Sequence, residues 1–375
     1  MMALEVNVSS DTLDDGGFHH STTSPQENCE SLGVTTSPIQ VTMVLIHVFT
    51  LLIALTGNIL LIVAFTRMKE KITIFIAKMA ASDLLVGVFL IPRSITREIT
   101  RSNAYLVHGL GGLILCKIST FLSDVSLSVS TQNLILISGE RFLAVVYPFL
   151  YKKITMRTRY VLIVSTWILA MALHSPYFYT FRLITREKPN GTETVFCWQS
   201  WEPAFSNGSA QLQYNIFLYV TVLFVPLFAV STLYLTTVVK LRRIDKMVTG
   251  LSEKRARRKF DRNKSLNKMV TATLTAFLTC WTLSAVLNFL RLFSPESVPK
   301  CSETFEIIEY ISRVLASSYC AVNPCICFMF LKVFSRELSI MCKRNHQRDT
   351  NERELRRYRK RLSTSTFRSS TNISQ

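Results

Sequence analysis

Apolar residues in this chain fall in long uninterrupted runs rather than at amphipathic spacing. Residues 31–66 contain no Asp, Glu, Lys or Arg, and the run ends at the basic turn Arg67-Met68-Lys69-Glu70-Lys71. About 20 apolar residues cross the hydrocarbon core of a bilayer, so this is a first membrane span. Residues 72–92, interrupted by Lys78 and Asp83, make a second. A third covers about 113–139, with Lys117 near its start and Asp124 inside. Residues 160–181 lie uncharged between Arg159 and Arg182 and form the fourth. Residues 203–239 are uncharged and read as span five from about 213. Residues 269–290, between Lys268 and Arg291, form the sixth, and about 306–331 the seventh. Buried helices of a soluble protein are shorter and keep charge on one face, so seven such stretches argue for an all-α membrane protein.

Charge then gives the direction of threading. The 375 residues carry 43 Lys+Arg against 25 Asp+Glu, a formal net charge of +18, in a chain that is 49% hydrophobic and 18% charged. Taken alone, +18 fits either a nucleic-acid patch or a sorting of bases to one membrane face. The first 40 residues hold six acids and no Lys or Arg. Residues 240–268 carry twelve Lys/Arg against Asp245, Glu253 and Asp261, and the tail from Lys332 carries twelve more against four acids. Basic loops stay in the cytoplasm, so the N-terminus is expected outside and the C-terminus inside a multi-pass plasma-membrane protein. The charge reports orientation and an anionic inner leaflet, not nucleic acid. No basic n-region with a short apolar core opens the chain, so no cleaved signal peptide is expected.

Four of the nine cysteines, Cys29, Cys116, Cys197 and Cys301, fall on the outer side, where disulfides persist and three pairings are open. Joining Cys116 to Cys197 would pin the second outer loop over the mouth of the bundle. Cys29 and Cys301 would then tie the N-terminal tail to the third outer loop, or stay free. The glycosylation sequons at Asn7, Asn190 and Asn207 also fall outside, although Asn263 and Asn372 match the same short pattern inside.

Residues placed in order across all seven spans resemble the rhodopsin-like (class A) G-protein-coupled receptors over about residues 40–345. These are Gly57-Asn58 in span one, Ala81-Ser82-Asp83-Leu84-Leu85 in span two, and Cys116 with Glu140-Arg141-Phe142 and Val146-Tyr147-Pro148 around span three. Span four has Trp167, span five Pro226 and Tyr234, span six Phe277-Leu278-Thr279-Cys280-Trp281, and span seven Asn323-Pro324. The run from Glu140 to Phe149 looks most like the neuropeptide receptors. The resemblance implies a seven-helix bundle over 41–331, behind an extracellular glycosylated tail over 1–40. A short amphipathic eighth helix over 332–345 would begin near Phe334, and a disordered cytoplasmic tail would cover 346–375.

The same resemblance implies roles. Glu140, Arg141, Phe142, Tyr147, Pro148 and Tyr234 would couple to a heterotrimeric G protein, with Phe277, Trp281, Asn323 and Pro324 as the activation switch. Asp83 is an ionisable group inside a span, expensive there without partners, and Asn58, Ser126, Ser130 and Asn323 are placed to face it as a polar network or an allosteric sodium site. Cys342 would be palmitoylated, the basic inner segments would meet anionic lipid, and the Ser/Thr-rich tail from Ser363 would serve a receptor kinase and arrestin. This chain also departs from the family pattern. Leu283 replaces the proline two residues after Trp281, Cys327 the tyrosine three after Pro324, Tyr319 the asparagine four before Asn323, and Asn263 the acid at the base of span six. Span six is therefore expected to be straighter than usual.

The ligand is less legible. The family's amine receptors place an Asp where this chain has Ser123, with Asp124 one residue on, and its retinal binders place a Lys where this chain has Ser317. Both ligand types are disfavoured. Arg93, Arg97, Glu98, Arg291, Glu306, Glu309 and Arg313 at the outer mouth, with Ser123, Asp124 and Trp198, suit an extracellular peptide with charged ends bound between spans two, three, five, six and seven. No hydrolytic or metal-ligating constellation appears, sodium aside, so a non-enzyme is expected. The alternatives are a receptor-like scavenger or dimerisation partner that no longer signals, a receptor for a non-peptide small molecule, and a transporter or channel, for which neither internal repeats nor a polar path is seen.

Overall fold

A computed structural model describes residues 37–67, 73–100, 102–187, 191, 193–248, 254–294, 297–299 and 302–330, with Gln347 and Glu352. The expected eighth helix, Cys342, the Ser/Thr-rich tail, Asn7, Cys29, Asn190 and Cys301 lie outside the described residues. The unit up to Phe330 contains seven helices long and apolar enough to cross a membrane.

The helices run past the apolar stretches that announce them. Span one is Ser37–Arg67, span three Gly109–Val146 and span six Lys254–Phe293. Span four is Met156–His174, extended by a turn at Tyr177–Thr180, and span seven is Glu303–Phe330. Backbone hydrogen bonding continues into the polar flanks, because a helix end is set by its caps and not by where hydropathy falls. Thr155 caps span four in this way, its hydroxyl accepting from the Thr158 N–H at 3.2 Å.

Spans two and five each contain one over-wide turn. In span two, Thr73–Leu85 gives way to a π-turn at Val86–Leu90 before Ile91–Thr100; in span five, Asn207–Leu218 gives way to Tyr219–Phe224 before Val225–Val248. Ile91 N–H bonds the carbonyl of Val86 and Val225 N–H that of Val220, each five residues back. A proline follows directly, Pro92 and Pro226. Proline has no N–H and its ring strikes the carbonyl four residues back; the wider turn gives that carbonyl room. Span six has no such feature and runs unbroken through Leu283.

Span three is the axis. It packs against spans two, four, five and six, while span one meets two and seven, and six meets seven. Close packing follows from small residues. A Cβ on Gly57 would lie 2.9 Å from Pro324 Cγ, so only glycine lets span one approach span seven at its proline. Large apolar side chains point outward, among them Phe49 at 65% and Phe228 at 77% exposure. A water-soluble fold does not present apolar surface on this scale; a bilayer covers it.

One element was not anticipated. The second outer loop forms an antiparallel hairpin, β1 (Phe181–Glu187) and β2 (Glu193–Gln199), with Leu183 opposite Cys197. The sequence ETVFCWQ is rich in residues that favour strands, but it lies between two membrane spans and is too short for a periodicity to stand out.

Candidate functional site

The hairpin is fastened over the outer mouth. Cys116, in the second turn of span three, is disulfide-bonded to Cys197 of β2, and Tyr105 N–H donates to the Val195 carbonyl at 2.7 Å. Beneath it is a cavity open to solvent, about 870 Å³ with that open space included. Its walls are Phe89, Leu90, Arg93, Ser94 and Arg97 from span two, and Ser119, Thr120, Ser123 and Asp124 from span three. Tyr105, Phe181 and Cys197 come from the outer loops, and Arg313 and Ala316 from span seven. Contrary to the expected site between spans two, three, five, six and seven, none of the described residues of spans five and six lines it. Toward them lies a separate apolar cavity of about 330 Å³, bounded by Leu127, Tyr219, Trp281 and Asn288 among others.

This arrangement divides the candidate ligand residues. Arg97, Ser123, Asp124 and Arg313 line the outer cavity. Glu98, Arg291, Glu309 and Trp198 do not. Arg291 Nη2 lies 2.6 Å from Glu309 Oε2, Arg313 Nη1 lies 2.8 Å from Glu309 Oε1, and Arg313 Nη2 lies 3.6 Å from Glu98 Oε1. These residues form a strap of ion pairs linking spans six, seven and two. Trp198 is one residue past Cys197, and alternate strand residues face opposite sides of a hairpin; its ring is covered by Arg186, 5.6 Å from the centroid. Arg93, one of the outer-mouth charges, also lines the cavity and packs on Tyr105, which the sequence did not single out, with the guanidinium 4.4 Å from the ring centroid.

Asp124 is 1% exposed. It accepts a 2.6 Å hydrogen bond from the Tyr177 hydroxyl at the outer end of span four. The Tyr177 ring meets His174 edge-on at 5.2 Å, and His174 Nε2 is 2.7 Å from Ser128 Oγ. The sequence offered no signal for Tyr177 or His174 beyond their place at the end of an uncharged run.

At mid-bundle, Asp83 is 1% exposed. Its Oδ1 accepts from Ser130 at 3.2 Å and its Oδ2 from Asn323 Nδ2 at 2.7 Å. Two other expected partners bond elsewhere: Asn58 Nδ2 donates to the carbonyls of Ala54 and Cys320, and Ser126 to the carbonyl of Ser82. The bonds to Cys320 and Ser82 run to carbonyls of neighbouring spans, so Asn58 and Ser126 stitch spans together beside Asp83 instead of hydrogen-bonding it. Asn58 Oδ1 and Asn323 Oδ1 are buried without a hydrogen bond. An oxygen-only set of one carboxylate, hydroxyls and two buried, unsatisfied amide oxygens fits a small hard cation. Toward span six, Phe277 stacks on Trp281 at 6.2 Å and meets Tyr319 edge-on at 5.4 Å.

At the inner end, Glu140 is paired with a residue that the sequence had placed only as a flank. Arg159 is 0% exposed. Its Nε donates to both oxygens of Glu140 at 3.1 and 3.2 Å, its Nη2 donates to Oε1 at 2.8 Å, and its Nη1 donates to the carbonyls of Ile154 and Thr155. Burial pushes the neighbouring Tyr151 hydroxyl above the usual phenol range, and the Glu140 charge adds to that shift. Arg141 is 6% exposed. Phe142 and Tyr147 pack edge-on at 5.6 Å, and Pro148 opens the short helix Pro148–Lys153. Tyr234 accepts from Thr271 Oγ1 of span six at 2.9 Å. The side chains of Asp261, Asn263 and Asn207 lie outside the described residues.

Residues 57–326 match the model of the 7 transmembrane receptor (rhodopsin family). The chain belongs to this family. It is a G-protein-coupled receptor and a multi-pass membrane protein, not an enzyme. The receptor is 26% identical over 302 residues to the neuropeptide Y receptor type 6 of Mus musculus, covering 78% of this chain and 77% of that protein. It is also 26% identical over 296 residues to the neuropeptide Y receptor type 4 of Rattus norvegicus, covering 76% and 74%.

Proposed function

We propose that the chain is a plasma-membrane receptor, N-terminus outside, that binds an extracellular peptide and in response activates a heterotrimeric G protein. The observation that supports this best is the pairing of an open outer cavity under a disulfide-fastened hairpin with a buried Arg141 at the opposite end of the same helix. Relatives named as neuropeptide Y receptors support the peptide. Span three joins the two ends, so a ligand that binds one arrangement of the spans better than another shifts the population presented to the G protein. The shift equals the difference in affinity and nothing more.

Asp83, Ser130, Asn58 and Asn323 would hold a sodium ion, which would supply fixed positive charge to a buried carboxylate. The residues themselves keep Asp83 hydrogen-bonded and hold spans one, two, three and seven together. The purified receptor is expected to melt at a higher temperature in sodium chloride than in choline chloride of equal ionic strength, with the difference lost in Asp83→Asn. Receptor kinase and arrestin are assigned to the Ser/Thr-rich tail, anionic lipid to the basic inner segments, palmitate to Cys342 and glycans to Asn7, Asn190 and Asn207.

The test of the main reading is G-protein activation in cells exposed to a peptide library, with native receptor compared against Arg141→Ala at matched surface expression. Loss of response in the variant is expected. An unchanged response would overturn the coupling role of Arg141. A second reading rests on span six, which runs unbroken where a proline is usual. In that reading the receptor captures ligand without signalling, and it predicts peptide binding at the cell surface with no G-protein response.

A further inference from the structure

We propose that the outer cavity contains an anion subsite centred on Arg93, and that the ligand presents a carboxylate to it. The proposal rests on the peptide-receptor reading only for the source of that carboxylate.

Arg93 lines the cavity. Its two terminal nitrogens donate to the backbone carbonyls of Asn103 and Ala104, and its guanidinium lies on the Tyr105 ring. All of these partners are uncharged, so among the described residues no carboxylate neutralises it. The contacts hold the guanidinium in place while using two of its five N–H groups. A cation fixed in this way has already lost the rotamer freedom that binding would otherwise take from it.

The surroundings point the same way. Arg97, one turn further along span two, also lines the cavity, while Arg313, across it on span seven, is ion-paired with Glu98 and Glu309, neither of which is in the lining. Among the described residues the one acid in the lining is Asp124, whose Oδ2 takes the Tyr177 hydroxyl. Ser94, adjacent to Arg93 and also lining, hydrogen-bonds no described side chain or backbone group and offers a hydroxyl. Low-dielectric walls concentrate the field of these guanidiniums in the cavity. A carboxylate meets planar paired donors there. Phe89, Leu90 and Phe181 make an apolar wall for whatever group carries the acid.

The experiment uses full-length receptor purified in lipid nanodiscs, with N-acetyl dipeptides ending in a free carboxylate and the same dipeptides as C-terminal amides. Thermal melting is followed across a titration of each. The acids are expected to raise the melting midpoint and the amides not. In Arg93→Gln the apparent affinity for the acids should fall roughly ten- to hundredfold, the loss of a hydrogen-bonded charge contact, while Arg93→Lys, which keeps the charge but not the planar donors, recovers only part of it. Arg93→Gln also alters support of the first outer loop, so Ser94→Ala serves as a second variant. It leaves that loop untouched and is expected to weaken acid binding by a smaller factor. Equal shifts from acids and amides, or an Arg93→Gln receptor that binds the acids as well as the native one, would overturn the subsite. A shift reproduced by sodium sulfate and lost in Arg93→Gln would assign an inorganic oxyanion and overturn the carboxylate. None of these readouts depends on G-protein activation, so a failed subsite and a failed signalling role remain distinguishable.

Discussion

Gly57 and Pro324 are separated by 267 positions in sequence and by no space at all in the bundle. An added methyl at Gly57 would stand 2.9 Å from the proline ring, and neither a helix backbone nor a pyrrolidine yields easily. Gly57→Ala is therefore expected to destabilise the receptor by roughly 1–3 kcal/mol, in the range of an overpacked core. Thermal melting of the purified protein and the fraction reaching the cell surface both report it, and an unchanged melting midpoint would count against this contact. Tyr177→Phe removes one hydroxyl and leaves Asp124 Oδ2 without it. The expected loss is about 1–3 kcal/mol, seen as a lower midpoint without loss of the disulfide. Sequence and structure part company here for a physical reason. Asp83 and Asp124 stand out because a charge in an apolar run is rare, so a single letter is informative. Tyr177 and His174 are ordinary letters at a span end, and only folding gives them their importance. Asn58 and Ser126 sit in the right neighbourhood, but each bonds a backbone carbonyl of an adjacent span.

At the scale of elements, spans three and four are joined at their inner ends by Glu140 and Arg159. Breaking one member of a buried pair leaves an uncompensated charge and costs about 3–5 kcal/mol, whereas replacing both by apolar groups is often neutral. Arg159→Met is expected to retain most receptor inside the cell, and adding Glu140→Met should recover surface expression. A double variant no better than the single would sink the pairing as the cause. Arg159 looked like a flank because it ends an uncharged run, and hydropathy marks where a span stops, not where the helix does. Its helix begins at Met156, so Arg159 lies inside the first turn and turns inward. The seven spans were legible for the opposite reason: the bilayer enforces length and apolarity on each one independently. The hairpin was not, because nothing outside the membrane imposes such a rule on a loop.

For the whole molecule, the outer and inner ends communicate only through the spans, and the outer end depends on a loop held by one described covalent tie. Cys197→Ser frees β2 from span three. Ligand response is expected to fall more than surface expression; a normal response would show that the hairpin needs no fastening. The proposed orientation rests on charge asymmetry, and it predicts that an antibody reaches an N-terminal tag on intact cells without permeabilisation. The over-wide turn in span two also reaches beyond its own few residues. It contains one residue more than an ordinary helical turn, and one residue is worth about 100° of rotation. Everything outward of Val86–Leu90, Arg93 and Arg97 included, faces where it does because that surplus is absorbed in one place. The turn acts as a phase setting for the outer half of the helix, and Pro92 is what keeps it from relaxing. Pro92→Ala, a change that adds or removes no charge, should therefore rotate the arginines away from the cavity and weaken the binding of acids as Arg93→Gln does.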